Sequence, residues 1–143
     1  MVMTSEQASP ADGVKSARAV FVSSPARTDT SVIRRVLEGE GISVLESELP
    51  EPGQFIRESL IEGIRKADAV IAVLGDGRSC SNVFYELGYA DALGKTVILV
   101  TQTPENIPFD LHGRRVITYE DGMHQLKEGL IDIVKSLEND SET

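Results

Sequence analysis

The sequence has few residues that support metal or disulfide chemistry, and it contains no tryptophan. Its single cysteine, Cys80, excludes an internal disulfide. His112 and His124 are the two histidines, and neither is spaced to pair with Cys80 or to join a cluster of metal ligands. We therefore expect no bound metal and no cofactor.

Basic residues are also scarce, since 14 lysines and arginines stand against 23 aspartates and glutamates and give a formal net charge of −9. This balance argues against nucleic acid or an anionic membrane as the main partner. The sequence also lacks an apolar run long enough to span a membrane and a charged-then-apolar leader. We expect a soluble, cytoplasmic protein.

Hydrophobic residues make up 41% of the 143 residues, which suits one globular domain with its own core. Residues 1–16 are polar and show no periodicity, so we expect a disordered tail there. Residues 17–138 are predicted to form a single α/β domain. Residues 139–143 are predicted to be a charged, frayed end.

Five short apolar runs alternate with segments whose apolar residues recur at helical spacing. The runs predict strands that begin near Ala17, Ile42, Ala69, Thr96 and Arg115. Short connections with one helix each favour parallel strands joined by right-handed crossovers. The pattern predicts a flavodoxin-like, doubly wound five-stranded parallel sheet in the order 2-1-3-4-5, with helices on both faces.

The most informative stretch is residues 75–95, GDGRSCSNVFYELGYADALGK, which follows the third apolar run. In a sheet of the predicted order, the carboxyl ends of the first and third strands flank the crevice in which ligands bind. We therefore place one site there, with residues 50–53 close enough to act as its flap. The candidate site residues, in addition to Glu86, are Ser23, Ser24, Gly53, Asp76, Ser79, Ser81, Asn82 and Tyr89.

Glu86 is the acid best suited to chemistry, because it lies in a predicted helix among apolar neighbours. Helical spacing puts it on one face with Asn82, Tyr89 and Ala90. The side that faces the sheet is predicted to hold Val83, Leu87 and Leu93. An ionised glutamate in this place suits a nucleophile or an electrostatic partner of a sugar cation. The alternative is a solvated acid that only stabilises the start of its helix.

Two other pairs of residues have open interpretations. Ser23 and Ser24 either offer hydroxyl and N–H groups to a phosphate or ribose, or only turn the chain and cap the next helix. Tyr85 and Tyr89 either belong to the core or the pocket wall, or stack on a base.

The motifs resemble those of two known families. Residues 67–95, ADAVIAVLGDGRSCSNVFYELGYADALGK, resemble the segment that carries the active-site glutamate in nucleoside 2-deoxyribosyltransferase-like proteins. The same segment, with FVSSPA at the first strand and PGQFIRESLIEGIRKAD after the second, resembles bacterial TIR-like (Toll/interleukin-1 receptor-like) domains. Their S-x-x-x-x-E-L pattern is matched here by Ser81, Glu86 and Leu87. The sequence also departs from both families. It has Ser81-Asn82 where the deoxyribosyltransferase-like proteins have an Asp-x-Gly-Thr motif before the glutamate, and Val83-Phe84 where many TIR-like enzymes have a Trp-Cys pair.

Both resemblances imply that Glu86 acts at the anomeric carbon of a nucleoside or nucleotide. They also imply that Ser23 and Ser24 line the ribose or phosphate side and that a Pro52-Gly53 flap closes over the base. Two functions are therefore predicted. The first is an N-glycosidase that cleaves NAD or a related nucleotide and assembles as a homo-oligomer. The second is a non-catalytic module that senses a nucleotide or recruits a TIR-like partner.

Overall fold

Strands and helices alternate along the chain in the computed structural model, which describes residues 18–25, 28–46, 56–74, 81–103, 105, 107 and 115–141. In chain order the elements are β1 (Ala19–Ser23), α1 (Ser31–Gly39), β2 (Ser43–Glu46), α2 (Ile56–Lys66), β3 (Ala69–Leu74), α3 (Ser81–Ala92), β4 (Thr96–Thr101), β5 (Arg115–Thr118) and α4 (Met123–Ser141). The predicted tail over residues 1–16 lies outside the described residues.

The described sheet is parallel throughout, and its strand order is β2-β1-β3-β4-β5. This confirms the predicted order. Val22 of β1 pairs with Glu46 of β2 on one side and with Ile71 of β3 on the other. After β1 the chain moves outward to β2 and then returns past β1 to β3. The carboxyl ends of β1 and β3 therefore flank the crevice at which the strand order reverses.

Successive side chains point to opposite faces of the sheet, so each strand contributes to two cores. Val20 and Val22 of β1 pack with α1 and α4 on one face, and Phe21 packs with α2 and α3 on the other. Every residue of β3 is buried, as its continuous apolar sequence predicts for a central parallel strand. Because helices cover both faces, the carboxyl edge of the sheet is the place left for a site.

Two side chains in the α3 region do not lie where the sequence predicts. Leu93 does not face the sheet and is 38% exposed, because α3 ends at Ala92 and Gly94, with a φ of 75°, turns the chain before β4. Tyr85 does not belong to the core, since it is 57% exposed. The buried residues of α3 are Val83, Glu86, Leu87 and Ala90. Tyr85 projects from the opposite side of the helix.

The last helix is longer than its pattern of apolar residues predicts. That pattern ends at Leu137, whereas α4 continues to Ser141. Residues 138–141 contain no glycine or proline that would stop the helix. Among the helices that the structure describes, none has the length and apolar character needed to cross a membrane.

Candidate active site

A buried hydrogen bond joins the end of β1 to α3. The hydroxyl Oγ of Ser23 donates to Oε1 of Glu86 over 2.5 Å. Ser23 is 1% exposed and Glu86 is 7% exposed. The bond lies beside the point at which the strand order reverses, between β1 and β3. Two residues that the sequence places on opposite walls of one crevice are therefore in direct contact.

The burial of Glu86 follows from its position on α3. Residues three and four apart share one side of a helix, and Val83 and Ala90, which lie three before and four after Glu86, are fully buried. A carboxylate in such surroundings is destabilising unless hydrogen bonds compensate for its lost hydration. Ser23 supplies one of these bonds. Glu86 is therefore not the solvated helix acid of the alternative interpretation.

A second hydrogen bond ties the same two parts of the chain. The side-chain amide Nδ2 of Asn82 donates to the backbone oxygen of Ser24 over 3.1 Å. Asn82 lies one helical turn before Glu86, at the start of α3. Two successive residues at the end of β1 are thus held by two successive turns of α3. The structure brings Ser23, Ser24, Asn82 and Glu86 together at one place.

The other predicted site residues are placed differently. Tyr89 is half-buried and packs against the core between the sheet and helices α2 and α3. Ser81 is the first residue of α3, and its side chain lies outside the described part of the structure. The predicted residues Gly53, Asp76 and Ser79, together with the flap of residues 50–53, lie outside the described residues.

Sequence analysis missed an ion pair at the same edge of the sheet. Arg34 of α1 donates through Nη2 to Oε2 of Glu46, and Thr30 Oγ1 donates to Oε1 of that carboxylate over 3.4 Å. Glu46 ends β2 and pairs in register with Val22, the residue before Ser23. Helical spacing predicts a different partner for Arg34, namely Glu38, which lies four residues after it and also forms an ion pair with it. No local pattern in the sequence points to Glu46. The ion pair holds α1 against the end of β2.

Thr101, the last residue of β4, is another polar residue that sequence analysis did not select. It is fully buried, and its hydroxyl donates to the backbone oxygen of Thr103 over 2.9 Å. The hydroxyl oxygen Oγ1 of Thr101 also accepts the backbone N–H of Thr103 over 3.3 Å. The hydroxyl of Thr101 therefore turns the chain after β4. Within the described part of the chain, no group of three or more histidine, cysteine, aspartate or glutamate side chains is placed to hold a metal ion.

Comparison with known sequences gives one family. The sequence profile described as Nucleoside 2-deoxyribosyltransferase matches residues 13–133. This span includes the end of β1, the whole of α3 and the buried pair Ser23–Glu86. No curated protein matches the chain at a significant level.

Solved structures of similar fold include three enzymes. The 2-deoxyribosyltransferase of Bacillus psychrosaccharolyticus is 25% identical with a TM-score of 0.60, over 71% of this chain and 85% of that one. The 2-deoxyribosyltransferase of Leishmania mexicana is 27% identical with a TM-score of 0.50, over 60% of this chain and 65% of that one. The CMP N-glycosidase BcmB of Clostridium botulinum is 22% identical with a TM-score of 0.64, over 79% and 97%, a likeness that shows the fold alone. These matches support the nucleoside 2-deoxyribosyltransferase-like resemblance and do not support the TIR-like one.

Proposed function

This chain belongs to the nucleoside 2-deoxyribosyltransferase family, and on that premise we propose that it cleaves the N-glycosidic bond of a nucleoside or nucleotide with Glu86 as its catalytic residue. The observation that carries the proposal is the buried carboxylate of Glu86, held by Ser23 beside the crevice of the sheet. A carboxylate kept out of water and fixed by a hydrogen bond is suited to act on a developing positive charge.

The proposed reaction uses the carboxylate in one of two ways. As the bond between the sugar C1′ and the base nitrogen breaks, its electron pair leaves with the base. The nicotinamide of NAD leaves as a neutral molecule because its ring nitrogen is cationic in the substrate, whereas the base of an uncharged nucleoside or nucleotide takes up a proton from water. Positive charge develops on the sugar, and Glu86 either stabilises that charge or forms an ester with C1′. Water then attacks C1′ and gives up a proton to the solvent, which yields the free sugar and the carboxylate. If the nitrogen of a second base attacks instead, the product is a new nucleoside.

We propose hydrolysis as the main outcome, with NAD and related nucleosides and nucleotides as the substrates. Support for an enzyme that acts on a glycosidic bond comes from the family match and from the two 2-deoxyribosyltransferases of similar structure. Support for a nucleotide substrate comes from the sequence resemblance. The CMP N-glycosidase of similar fold adds CMP to the compounds to be tested.

A panel of substrates tests the proposal. The purified protein is incubated with NAD, CMP and a 2′-deoxynucleoside, each with and without a second free base, and the products are separated by chromatography. We expect release of a free base from at least one compound, and no release by Glu86→Gln. A new nucleoside in the presence of the second base would show transfer. A protein that binds a nucleotide and never cleaves it would instead be the sensing module.

The prediction of a homo-oligomer stays a proposal, and the outer side of α3 supports it. Phe84 and Tyr85 are 39% and 57% exposed there. Gly88 and Ala92 continue the same exposed side, and Asp91 borders it. A helix with apolar residues on two opposite sides is typically packed against protein on both of those sides. Two copies of a chain with a net charge of −9 repel each other least through a surface with few charges, so we propose a second copy as the cover.

A further inference from the structure

We infer that Ser23 is a positioning residue, whose hydroxyl holds the Glu86 carboxylate in the orientation that attack on a sugar carbon requires. The inference rests on the proposed function. It differs from the role that the family resemblance implies for Ser23, which is contact with ribose or phosphate. Ser23 is 1% exposed and donates to Glu86 over 2.5 Å. Because so little of its surface is exposed, the Ser23 side chain contacts other protein groups and not the substrate. Its effect on the reaction is therefore exerted through Glu86.

The sheet fixes the position of the Ser23 hydroxyl. Ser23 pairs in register with Ala72 of β3, and the preceding Val22 pairs with both β2 and β3. The backbone at the end of β1 is therefore held between its two neighbouring strands, the edge strand β2 and the central strand β3. A serine side chain has a single torsion before its hydroxyl, so little freedom remains for the donor.

The carboxylate of Glu86 has more freedom to lose. Three torsions separate it from the backbone of α3, and each has two or three accessible positions. A nucleophile is effective only when its reacting atom stays close to the attack geometry. The Ser23 hydroxyl donates to Oε1 of Glu86, and a hydrogen bond to a charged acceptor is stronger than one between neutral groups. The bond to Ser23 therefore selects one arrangement of the carboxylate.

Asn82 keeps the two partners at bonding distance. Its amide holds the backbone oxygen of Ser24, the residue after Ser23, and it lies four residues before Glu86 on α3. Residues at this spacing share one side of a helix. The start of α3 is therefore fixed against the end of β1, and the bond between Ser23 and Glu86 does not depend on the two side chains alone.

The test compares three substitutions of Ser23 in the full chain, with the substrate that the wild type turns over best in the panel above. In Ser23→Ala we expect kcat to fall roughly 10- to 100-fold, as for the loss of one hydrogen bond to a charged group. The KM should change by less than about twofold, because a residue that does not touch the substrate contributes to orientation and not to binding. Ser23→Thr, which keeps the hydroxyl, and Ser23→Cys, which keeps a weak donor, should restore part of kcat.

Thr101→Val is the matched control. Thr101 also ends a strand at the same edge, is fully buried and uses its hydroxyl in a hydrogen bond, but its partner is Thr103. Valine has nearly the same shape without the hydroxyl. We expect Thr101→Val to lower the melting temperature and to leave kcat within about twofold of the wild type, since the bond it removes does not reach Glu86.

The possible results separate this inference from the proposed function. Inactive Glu86→Gln together with full kcat in Ser23→Ala would overturn the role of Ser23 and leave the catalytic role of Glu86 in place. Equal losses of kcat in Ser23→Ala and Thr101→Val would also overturn it, because they would indicate general damage to the edge. If Ser23→Ala does not fold, the inference is tested by the kcat values of Ser23→Thr and Ser23→Cys. A kcat of Ser23→Cys equal to that of the wild type would then count against the inference. A wild type that cleaves no compound would overturn both proposals.

Discussion

Gly129 of α4 lies so close to Ile117 of β5 that a Cβ atom on Gly129 would be 2.7 Å from Ile117 Cγ2. Ile117 is buried and branched at Cβ, so its methyl group has little room to move aside. We predict that Gly129→Ala lowers the free energy of unfolding by about 1–3 kcal/mol, as overpacking of a core does. Denaturant unfolding of the wild type and the variant measures this difference.

Gly88 of α3 provides the matched control, because it lies within a helix and a Cβ atom there would meet nothing within 4 Å. Alanine is a better helix former than glycine by roughly 0.5–1 kcal/mol. The free energy of unfolding of Gly88→Ala should therefore be equal to that of the wild type or higher. A loss of stability in Gly88→Ala as large as that in Gly129→Ala would show that contact with Ile117 is not the cause.

Lys95 is predicted to stabilise the end of α2. Its ammonium Nζ donates to the backbone oxygens of Arg65 and Ala67 over 3.0 and 2.8 Å. Carbonyls at the end of a helix lack partners within the helix, so these bonds satisfy them. Lys95→Met should lower the free energy of unfolding by about 1–3 kcal/mol, measured by denaturant unfolding. Lys127→Met, at an exposed position of α4, is the control, and an equal loss there would contradict the prediction.

The fold could be predicted from the sequence because its signals are local. The continuous apolar run of β3 predicts a central strand, and all of its residues are buried. The alternation of strands and helices then leaves one strand order as the natural choice, and the sheet has that order. Leu93 shows the limit of such patterns. Its spacing suits the inner side of α3, but the helix ends before it, and the sequence around Gly94 does not set that end to within one residue.

The site was predicted less completely, because its contacts join distant parts of the chain. The spacing of α3 places Glu86 with Asn82, but it does not reveal that Ser23 donates to Glu86 from 63 residues away. Arg34 and Glu46, which are 12 residues apart, likewise meet only because α1 packs beside the end of β2. A helical pattern identifies which residues share a side. Only the packed sheet decides which partner each of them meets.

Asp29 is predicted to give the chain a small stability that is lost in acid. The backbone N–H of Ser31 donates to Oδ1 of Asp29 over 2.9 Å at the start of α1. This bond, the Ser31 hydroxyl and then the charge of Arg35 hold the pKa of Asp29 below its ordinary value. A lowered pKa in the folded state means that the stabilisation is present above the pKa of the unfolded chain and disappears as the pH falls through the folded value.

The measurement is the melting temperature of the wild type and Asp29→Asn across pH 2 to 7, a window chosen around the ordinary aspartate pKa of about 4. Asp29→Asn should melt at a lower temperature near neutral pH, and the difference should shrink below about pH 4. Asp132→Asn, at an exposed position of α4, controls for the change in net charge. A difference that stays constant down to pH 2, or that Asp132→Asn reproduces, would contradict the role of Asp29.

Tyr85 tests the proposed contact between two copies of the chain. Sedimentation velocity of the wild type over a range of protein concentrations should show a species larger than the monomer. Tyr85→Glu should return the protein to the monomer, because it replaces an aromatic contact by a buried charge on the outer side of α3. Met123→Glu changes an apolar residue that is 51% exposed at the start of α4 and should leave the assembly intact. A wild type that stays monomeric at every concentration would refute the proposal.

Glu86→Gln should abolish cleavage while keeping the fold. Glutamine has the size of glutamate and an oxygen that can accept the hydrogen bond from Ser23. It carries no negative charge to stabilise a sugar cation and is a poor nucleophile, so we expect the rate of base release to fall by at least about 10³-fold. The melting temperature should stay equal or rise, because the variant no longer buries a charge at a position that is 7% exposed.

The two measurements on Glu86→Gln together distinguish a catalytic carboxylate from a structural one. A residue that only holds α3 against β1 would lose stability on substitution and lose activity in proportion to the unfolded fraction. A catalytic residue loses activity at full stability, which is the pattern that buried, charged active-site groups show. Base release by Glu86→Gln at the wild-type rate would reject the catalytic role of Glu86. A drop in melting temperature large enough to account for the lost activity would assign Glu86 to the fold.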